Sequence, residues 1–349
     1  MTRHAYGLLV GIAVLTGGLA VVVGASLGQP LRDPEGFLGP TWLRIPLLLL
    51  GAFLADLLPL PLYRARFRFK ALPAEIRKRW HEHWTRERIM LVVMGLVFFY
   101  LTYVGYRNLK SYLPFIRGDI QDYGLREFDL LLFFGADPGV LMQQAIGFEW
   151  MAHFLSFIYL AYLPLVPLTL TAWLVWSRNI SFGYWFVTAN AMCWALGTAT
   201  YYMIPSLGPV FHFPWLFADL PVTGVTALQE SLASGRVRVR FNPMGESVQS
   251  VAGFASLHTG ITLVVAMVAQ YTLRSRVLKF LTWAFFGLTV VATIYFGWHY
   301  VADVIAGVVI AVISVWLGAL ATGQKFDRRG RSSHPTTTSG EVPVEVTEH

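Results

Sequence analysis

The sequence predicts an all-α, polytopic integral membrane protein with about eight transmembrane helices, and three observations predict it. Of its 349 residues 55% are hydrophobic and only 13% charged, which is too apolar for an ordinary soluble domain. The apolar residues fall in runs of about twenty, the length that crosses a bilayer as a helix. The basic residues collect in the polar stretches between those runs, the distribution that orients membrane helices. The net charge of +7 therefore reports topology, and nucleic acid is not an expected partner. The one cysteine, Cys193, lies in an apolar run, so there is no disulfide framework.

In chain order the expected spans are 6–26, 42–62, 89–108, 152–176, 183–204, 256–273, 279–298 and 300–321. The first has little charge before it beyond Arg3 and leads into further spans, so it reads as a helix rather than a cleaved signal. The second carries Asp56, a costly group in a membrane unless paired, to which no catalytic role is assigned. Residues 63–88 hold Arg64, Arg66, Arg68, Lys70, Arg77, Lys78, Arg79, Arg86 and Arg88, a density expected on the cytoplasmic side, with an amphipathic helix from Ala74 to Arg88. Counting spans from there puts Arg178, Arg274, Arg276, Lys279, Lys325, Arg328, Arg329 and Arg331 on the same side, together with both termini. Segments 109–151 and 205–255 become long outer connections, of the kind that form lids or binding surfaces. Within them, 128–134 and 140–142 are apolar but too short to span, and are expected in the interface. The chain divides into an N-terminal helix pair (1–62), a basic cytoplasmic loop (63–88), a membrane core (89–322) and a cytoplasmic tail (323–349), the last expected to be disordered for its Thr, Ser and Pro content.

Chemistry concentrates at the outer ends of the last three spans. His299 and Asp303 are four residues apart, so on a helix they share a face, and the carboxylate can hold one imidazole nitrogen while the other is free to react. His258 opens the sixth span on the same side, at the end of Phe254-Ala-Ser-Leu-His258. The topology places all three residues at one membrane surface, although the basic residues that fix it are unrelated to the histidines. Such a set supplies what phosphoryl transfer needs: His299 as nucleophile, Asp303 to orient it, and His258 to protonate the leaving oxygen and later activate the acceptor. The backbone N–H groups of Ser256, Leu257 and His258, with the Ser256 hydroxyl, offer an anion cradle at a helix start. His153 and His212 read as interfacial or structural.

With Phe254-Ala-Ser-Leu-His258 set against F-P-S-L-H, and Gly297-Trp-His-Tyr-Val-Ala-Asp303 against H-Y-x-x-D, the chain resembles the type 2 phosphatidic acid phosphatase (PAP2) superfamily. The likeness is to its branch similar to fungal inositol phosphorylceramide synthase, an inositolphosphotransferase. The resemblance covers roughly the C-terminal half of the membrane core. It implies a six-helix catalytic core, a phosphohistidine mechanism without metal or other cofactor, and a lipid phosphate or phospholipid substrate with water or a polar alcohol as acceptor. Three departures stand out. The serine–arginine pair that precedes the nucleophile in the superfamily would fall at Ala292 and Thr293, Ala255 replaces a proline, and no full lysine–arginine–proline first motif is found. Phosphate neutralisation is then expected from Arg107 and Lys110 at the outer end of the third span, followed by Arg236, Arg238 and Arg240 in the second outer connection. Each has a plainer reading: Arg107 and Lys110 as snorkelling interface residues, and the Arg–Val alternation at 236–240 as a short exposed strand.

The leading expectation is an extracytoplasmic lipid phosphotransferase or phosphatase of the cell membrane, and the branch resemblance leans towards transfer. Two other classes compete with it. His258, His299 and Asp303 have the composition of a two-histidine, one-carboxylate metal site of a membrane hydrolase. A proton-coupled transporter would use the same buried His and Asp as a relay, but it needs polar residues to continue across the bilayer, and the lower halves of the last three spans are apolar.

Overall fold

The computed structural model describes residues 6–32, 41–177, 179–242, 251, 253–326 and 332–334, and the described chain is helical almost throughout. The helices are α1 (Gly7–Ser26), α2 (Thr41–Leu57), α3 (Pro59–Arg64), α4 (Leu72–His83), α5 (Arg86–Ile116), α6 (Asp122–Leu132) and α7 (Pro138–Ile146). They continue as α8 (Glu149–Leu170), α9 (Ile180–Met203), α10 (Pro209–His212), α11 (Gly224–Phe241), α12 (Leu257–Thr272), α13 (Arg276–Tyr295) and α14 (Val301–Ala321). A π-helical turn, Thr171–Trp176, extends α8, and a 3-10 turn, Pro214–Phe217, follows α10. Beyond α14, Lys325–Phe326 pairs antiparallel with Ser332–His334, inside the stretch whose composition reads as disordered. Arg3, Arg178, Arg328, Arg329, Arg331 and the tail past His334 lie outside the described residues.

Among the described residues six helices are long and apolar enough to cross a membrane: Gly7–Ser26, Ile45–Arg64, Arg86–Ile116, Glu149–Trp176, Arg276–Tyr295 and Val301–Ala321. Eight spans were expected, and the other two are α12 and α9. Helix α12 has only 16 residues, short of a full crossing. Helix α9 has 24, but it runs through the bundle against α1, α5, α12 and α14 and is buried over most of its length. A helix that meets protein rather than lipid can carry polar residues if they are satisfied. Asn190 donates to the Phe186 carbonyl at 3.0 Å, and Thr198 to that of Trp194 at 2.7 Å.

The cost of Asp56 is met by partners. Arg79 of α4 grips its carboxylate with two hydrogen bonds, at 2.9 and 2.6 Å, and the Trp84 indole adds a third at 2.9 Å. Unlike the continuous helix expected over 74–88, α4 stops at His83, because the Thr85 side chain accepts from the Arg88 N–H and caps α5 instead. Helix α5 then runs for 31 residues, so Lys110 sits on a membrane helix rather than in the loop that the span 89–108 implied.

Two short helices cover one end of the bundle. In α6 the usual polarity is inverted: Asp122 and Asp129 are buried, while Leu131 and Phe134, just past the helix, are 80% and 100% exposed. An apolar outer face with a polar inner one suits a helix lying between lipid and a polar site. Segment 205–209, at the exit of α9, turns under α6, and Gly208 (φ +98°) lies so close to Trp298 that a Cβ there would meet its carbonyl oxygen at 2.3 Å.

Candidate functional site

Helices α12 and α14 cross at their N-termini, and that crossing builds the site. Gly307, one turn into α14 beyond Asp303, lies against the start of α12, where a Cβ would meet the Ser256 carbonyl oxygen at 2.4 Å. With hydrogen in that place, the Ser256 N–H reaches the Asp303 carbonyl at 2.9 Å. The strand of chain leading into α12 is tied to the exit of α9: the N–H of Phe254 donates to Ser206 Oγ and that of Ala255 to Thr200 Oγ1, both at 3.0 Å.

His299 Nδ1–H donates to Asp303 Oδ2 at 3.1 Å, with both residues buried. The same oxygen accepts from the Tyr300 N–H at 3.0 Å, so Asp303 is at once the N-terminal cap of α14 and the orienter of the imidazole. Its other oxygen is buried without a partner among the described residues. The His258 ring centroid lies 6.0 Å from that of His299, and its faces pack on Tyr159 at 4.6 Å and Tyr162 at 4.4 Å. The two imidazoles are therefore close neighbours at the helix starts.

The residues of the expected cradle, Ser256, Leu257 and His258, stand at the start of α12. Ser256 caps α12 by accepting from the Thr259 N–H at 3.3 Å, and its own N–H is taken by Asp303. The N–H groups of Leu257 and His258 make no hydrogen bond among the described residues, as is usual in the first turn of a helix. Among the basic candidates Lys110 comes to the site. It is 7% exposed, lies over the Tyr201 ring at 4.9 Å, donates to the Tyr106 hydroxyl at 3.3 Å, and its charge reaches both histidine rings. Arg107, one turn before it on α5, has its Nε buried without a partner. Where the superfamily's serine–arginine pair would fall, Ala292 and Thr293 are wholly buried and bring no charge.

The arginines of the second connection are placed differently. The alternation at 236–240 is the last part of helix α11, whose N-terminus is capped by Thr223, and not a strand. Arg236 is half-buried, burial lowering the pKa of its guanidinium, and it feels the charge of Asp122; Arg238 and Arg240 are exposed. No contact joins any of the three to His258 or His299 among the described residues. His153 is exposed, and His212 packs on Tyr123 and Phe213.

Two residues that pattern reading missed hold the backbone around His299. Asp122 accepts from the N–H groups of Leu207 and Gly208 and from the Tyr300 hydroxyl, and Asp129 accepts from the Val301 N–H at 3.1 Å. The signal for them was present in Asp122-Tyr-Gly-Leu-Arg-Glu-Phe-Asp129: acids at i and i+7 with Arg126 between them mark one polar stripe on an otherwise apolar helix. Among the described residues no three His, Cys, Asp or Glu side chains are grouped so as to hold a metal ion, and His299 and Asp303 bond each other rather than converging on a common point.

The fold thus brings together a buried histidine held by an aspartate, a second histidine beside it and a buried lysine whose charge acts on both rings. The chain matches the family model of the PAP2 superfamily over residues 125–317, more than half of its length, and belongs to that superfamily. It is thus a multi-pass membrane protein of a phosphatase-type family, for which a lipid phosphate is the substrate class. No curated protein and no solved structure matches it.

Proposed function

We propose that the protein is a metal-independent lipid phosphotransferase or phosphatase that works through a phosphohistidine on His299. The observation that carries this reading is the buried His299–Asp303 pair facing His258 across 6.0 Å, with the charge of Lys110 on both rings. The Nε2 lone pair of His299 attacks phosphorus, the bond to the leaving oxygen breaks, and His258 gives that oxygen its proton. In the second step His258 takes a proton from water or an alcohol. The new oxygen bonds to phosphorus, and the P–N bond breaks to return the lone pair to His299. Asp303 stabilises the imidazolium-like intermediate, while Lys110 and the free N–H groups of Leu257 and His258 neutralise the phosphate oxygens.

An inositol- or sugar-like acceptor, as in the branch the motifs resemble, is the finer part of the proposal, and so is the orientation. From Arg86 to Lys110 helix α5 rises about 36 Å, roughly a bilayer, so the site lies at the opposite end of α5 from the basic helix α4. With α4 on the cytoplasmic side, as its arginines favour, the site opens on the extracytoplasmic face.

The test is phosphate release from phosphatidic acid and phosphoinositides by the purified protein in chelator, with and without inositol, beside His299→Ala. Metal-independent turnover that the variant lacks, together with a radiolabelled phosphoprotein stable to base and labile to acid, is the expected result. Turnover that needs added zinc would replace this mechanism with the metal one. A gain in product with inositol separates transferase from phosphatase.

A further inference from the structure

A large apolar cavity of about 760 Å³ lies between α2, α5, α8 and α9, within the range of pockets that take small ligands, about 300–1,000 Å³. Its walls are aliphatic and aromatic, with no charged side chain among the lining residues. Three of its four walls, α2 with α3, α5 and α8, belong to helices able to cross a membrane, so it stands at hydrocarbon depth, where an acyl chain is the abundant apolar ligand.

The inner end of the cavity meets the site at two points. Tyr162 lines the cavity and packs its ring 4.4 Å from that of His258. Trp194 also lines it and packs on Tyr106 at 4.5 Å, the residue whose hydroxyl accepts from Lys110. Charge is therefore arranged along one line, a buried cation and two histidines at one end and a purely apolar slot behind them. A lipid phosphate has the complementary arrangement.

We infer that this cavity holds an acyl chain of the substrate, and that α2, which lies outside the residues matched to the superfamily, sets which chains fit. The inference rests on the proposed lipid phosphate activity. Its outer wall is Ile45–Ala52 of α2, opposite Leu163–Leu170 of α8. Helix α2 then does more than anchor the core, because it closes one side of a slot whose other walls are α5, α8 and Trp194 of α9.

Gly51 gives the test, since it lines the cavity and a Cβ there has nothing within 4 Å, so a side chain starts into open space. Gly287 on α13 is equally open but does not line the cavity, and serves as control. Gly51→Phe should raise KM for dioleoyl phosphatidic acid about tenfold relative to the dioctanoyl lipid. It should leave hydrolysis of para-nitrophenyl phosphate within about twofold, and Gly287→Phe should change neither. Equal treatment of both lipids by Gly51→Phe and wild type would overturn the inference.

Binding is read separately, so that loss of the catalytic proposal does not remove the test. In phosphatidylcholine nanodiscs, a phosphatidic acid with a terminal diazirine on its acyl chain should label Tyr103 and Leu163 of the His299→Ala protein. Excess unlabelled phosphatidic acid should suppress that labelling, and Gly51→Phe should weaken it. Labelling that is absent, or that excess phosphatidic acid does not suppress, rejects the cavity whatever the enzyme assay shows. Suppressible labelling without turnover by the wild type keeps the cavity and rejects the proposed reaction.

Discussion

The Tyr300 hydroxyl donates to Asp122 Oδ1 at 3.0 Å, joining a residue next to the proposed nucleophile to one 178 positions earlier. The same carboxylate holds the N–H groups of Leu207 and Gly208, so one buried acid fixes three parts of the chain that meet behind His299. Replacing Tyr300 by Phe removes one donor and leaves the others. Asp122→Ala strands all three, each buried unsatisfied group costing about 1–3 kcal/mol. Tyr300→Phe should therefore fold and lose activity modestly, whereas Asp122→Ala should lower the melting temperature sharply. Thermal melts beside phosphate-release assays check this, and equal stability of the two variants would contradict the account.

Asp303 has two tasks on one oxygen, accepting from the N–H at the start of α14 and from the imidazole. In Asp303→Asn the amide oxygen can still accept one of them, but the carboxylate charge that favours the imidazolium is gone. We expect kcat to fall by about 10²–10⁴, with a stability loss of roughly 1 kcal/mol, the scale of a cap. A variant that is folded and fully active would make the pair a structural one.

On the proposed mechanism Lys110, whose charge acts on both histidines, is the cation at the phosphate rather than Arg236, Arg238 or Arg240. Lys110→Met, which keeps the chain's apolar packing on Tyr106 and Tyr201, should lower kcat/KM for lipid phosphates by about a hundredfold. Arg238→Met, on an exposed position, should alter it less than twofold, on the order of 0.4 kcal/mol. The kinetics of the two variants decide between these cations, and the reverse order would reassign the phosphate site to α11.

Legibility of the sequence followed the range of the interactions. His299 with Asp303, and His258 at a helix start, were readable because capping is local, although His299 lies just before α14 rather than on one helix face with Asp303, which reaches back to it from the first turn. The eight apolar runs were readable as well, and each falls on a helix, although α9 and α12 are not among the six described helices long and apolar enough to cross a membrane. Asp122 and Asp129 act on backbone 85 and 172 residues away, and nothing within a helix period announces that their polar face turns inward. At 236–240 an alternating tract too short to outweigh its context was drawn into the helix that Thr223 begins.

Asp129 gives the fold a pH dependence of definite sign. It lies on α6, outside the spanning helices, and burial is the largest influence on its carboxyl, pushing its pKa up to about 6 from 3.8 despite the Val301 N–H it accepts from. A raised carboxyl pKa means that between about 4 and 6 the folded protein binds more protons than the unfolded chain, so stability falls as pH rises through that window. The opposite trend would come from a carboxylate held by a cation, whose pKa is lowered, as at Asp119 beside Arg117. In Asp129→Asn the amide oxygen keeps the acceptor for Val301 and the titrating proton is removed. The wild type should therefore lose thermal stability between pH 4.5 and 6.5 relative to Asp129→Asn, and above that range the difference should stay constant. Melting curves of both proteins across these pH values, in one detergent and at one ionic strength, give the comparison. Parallel curves throughout would show that this carboxyl does not titrate there, and that the hydrogen bond to the start of α14 outweighs its burial.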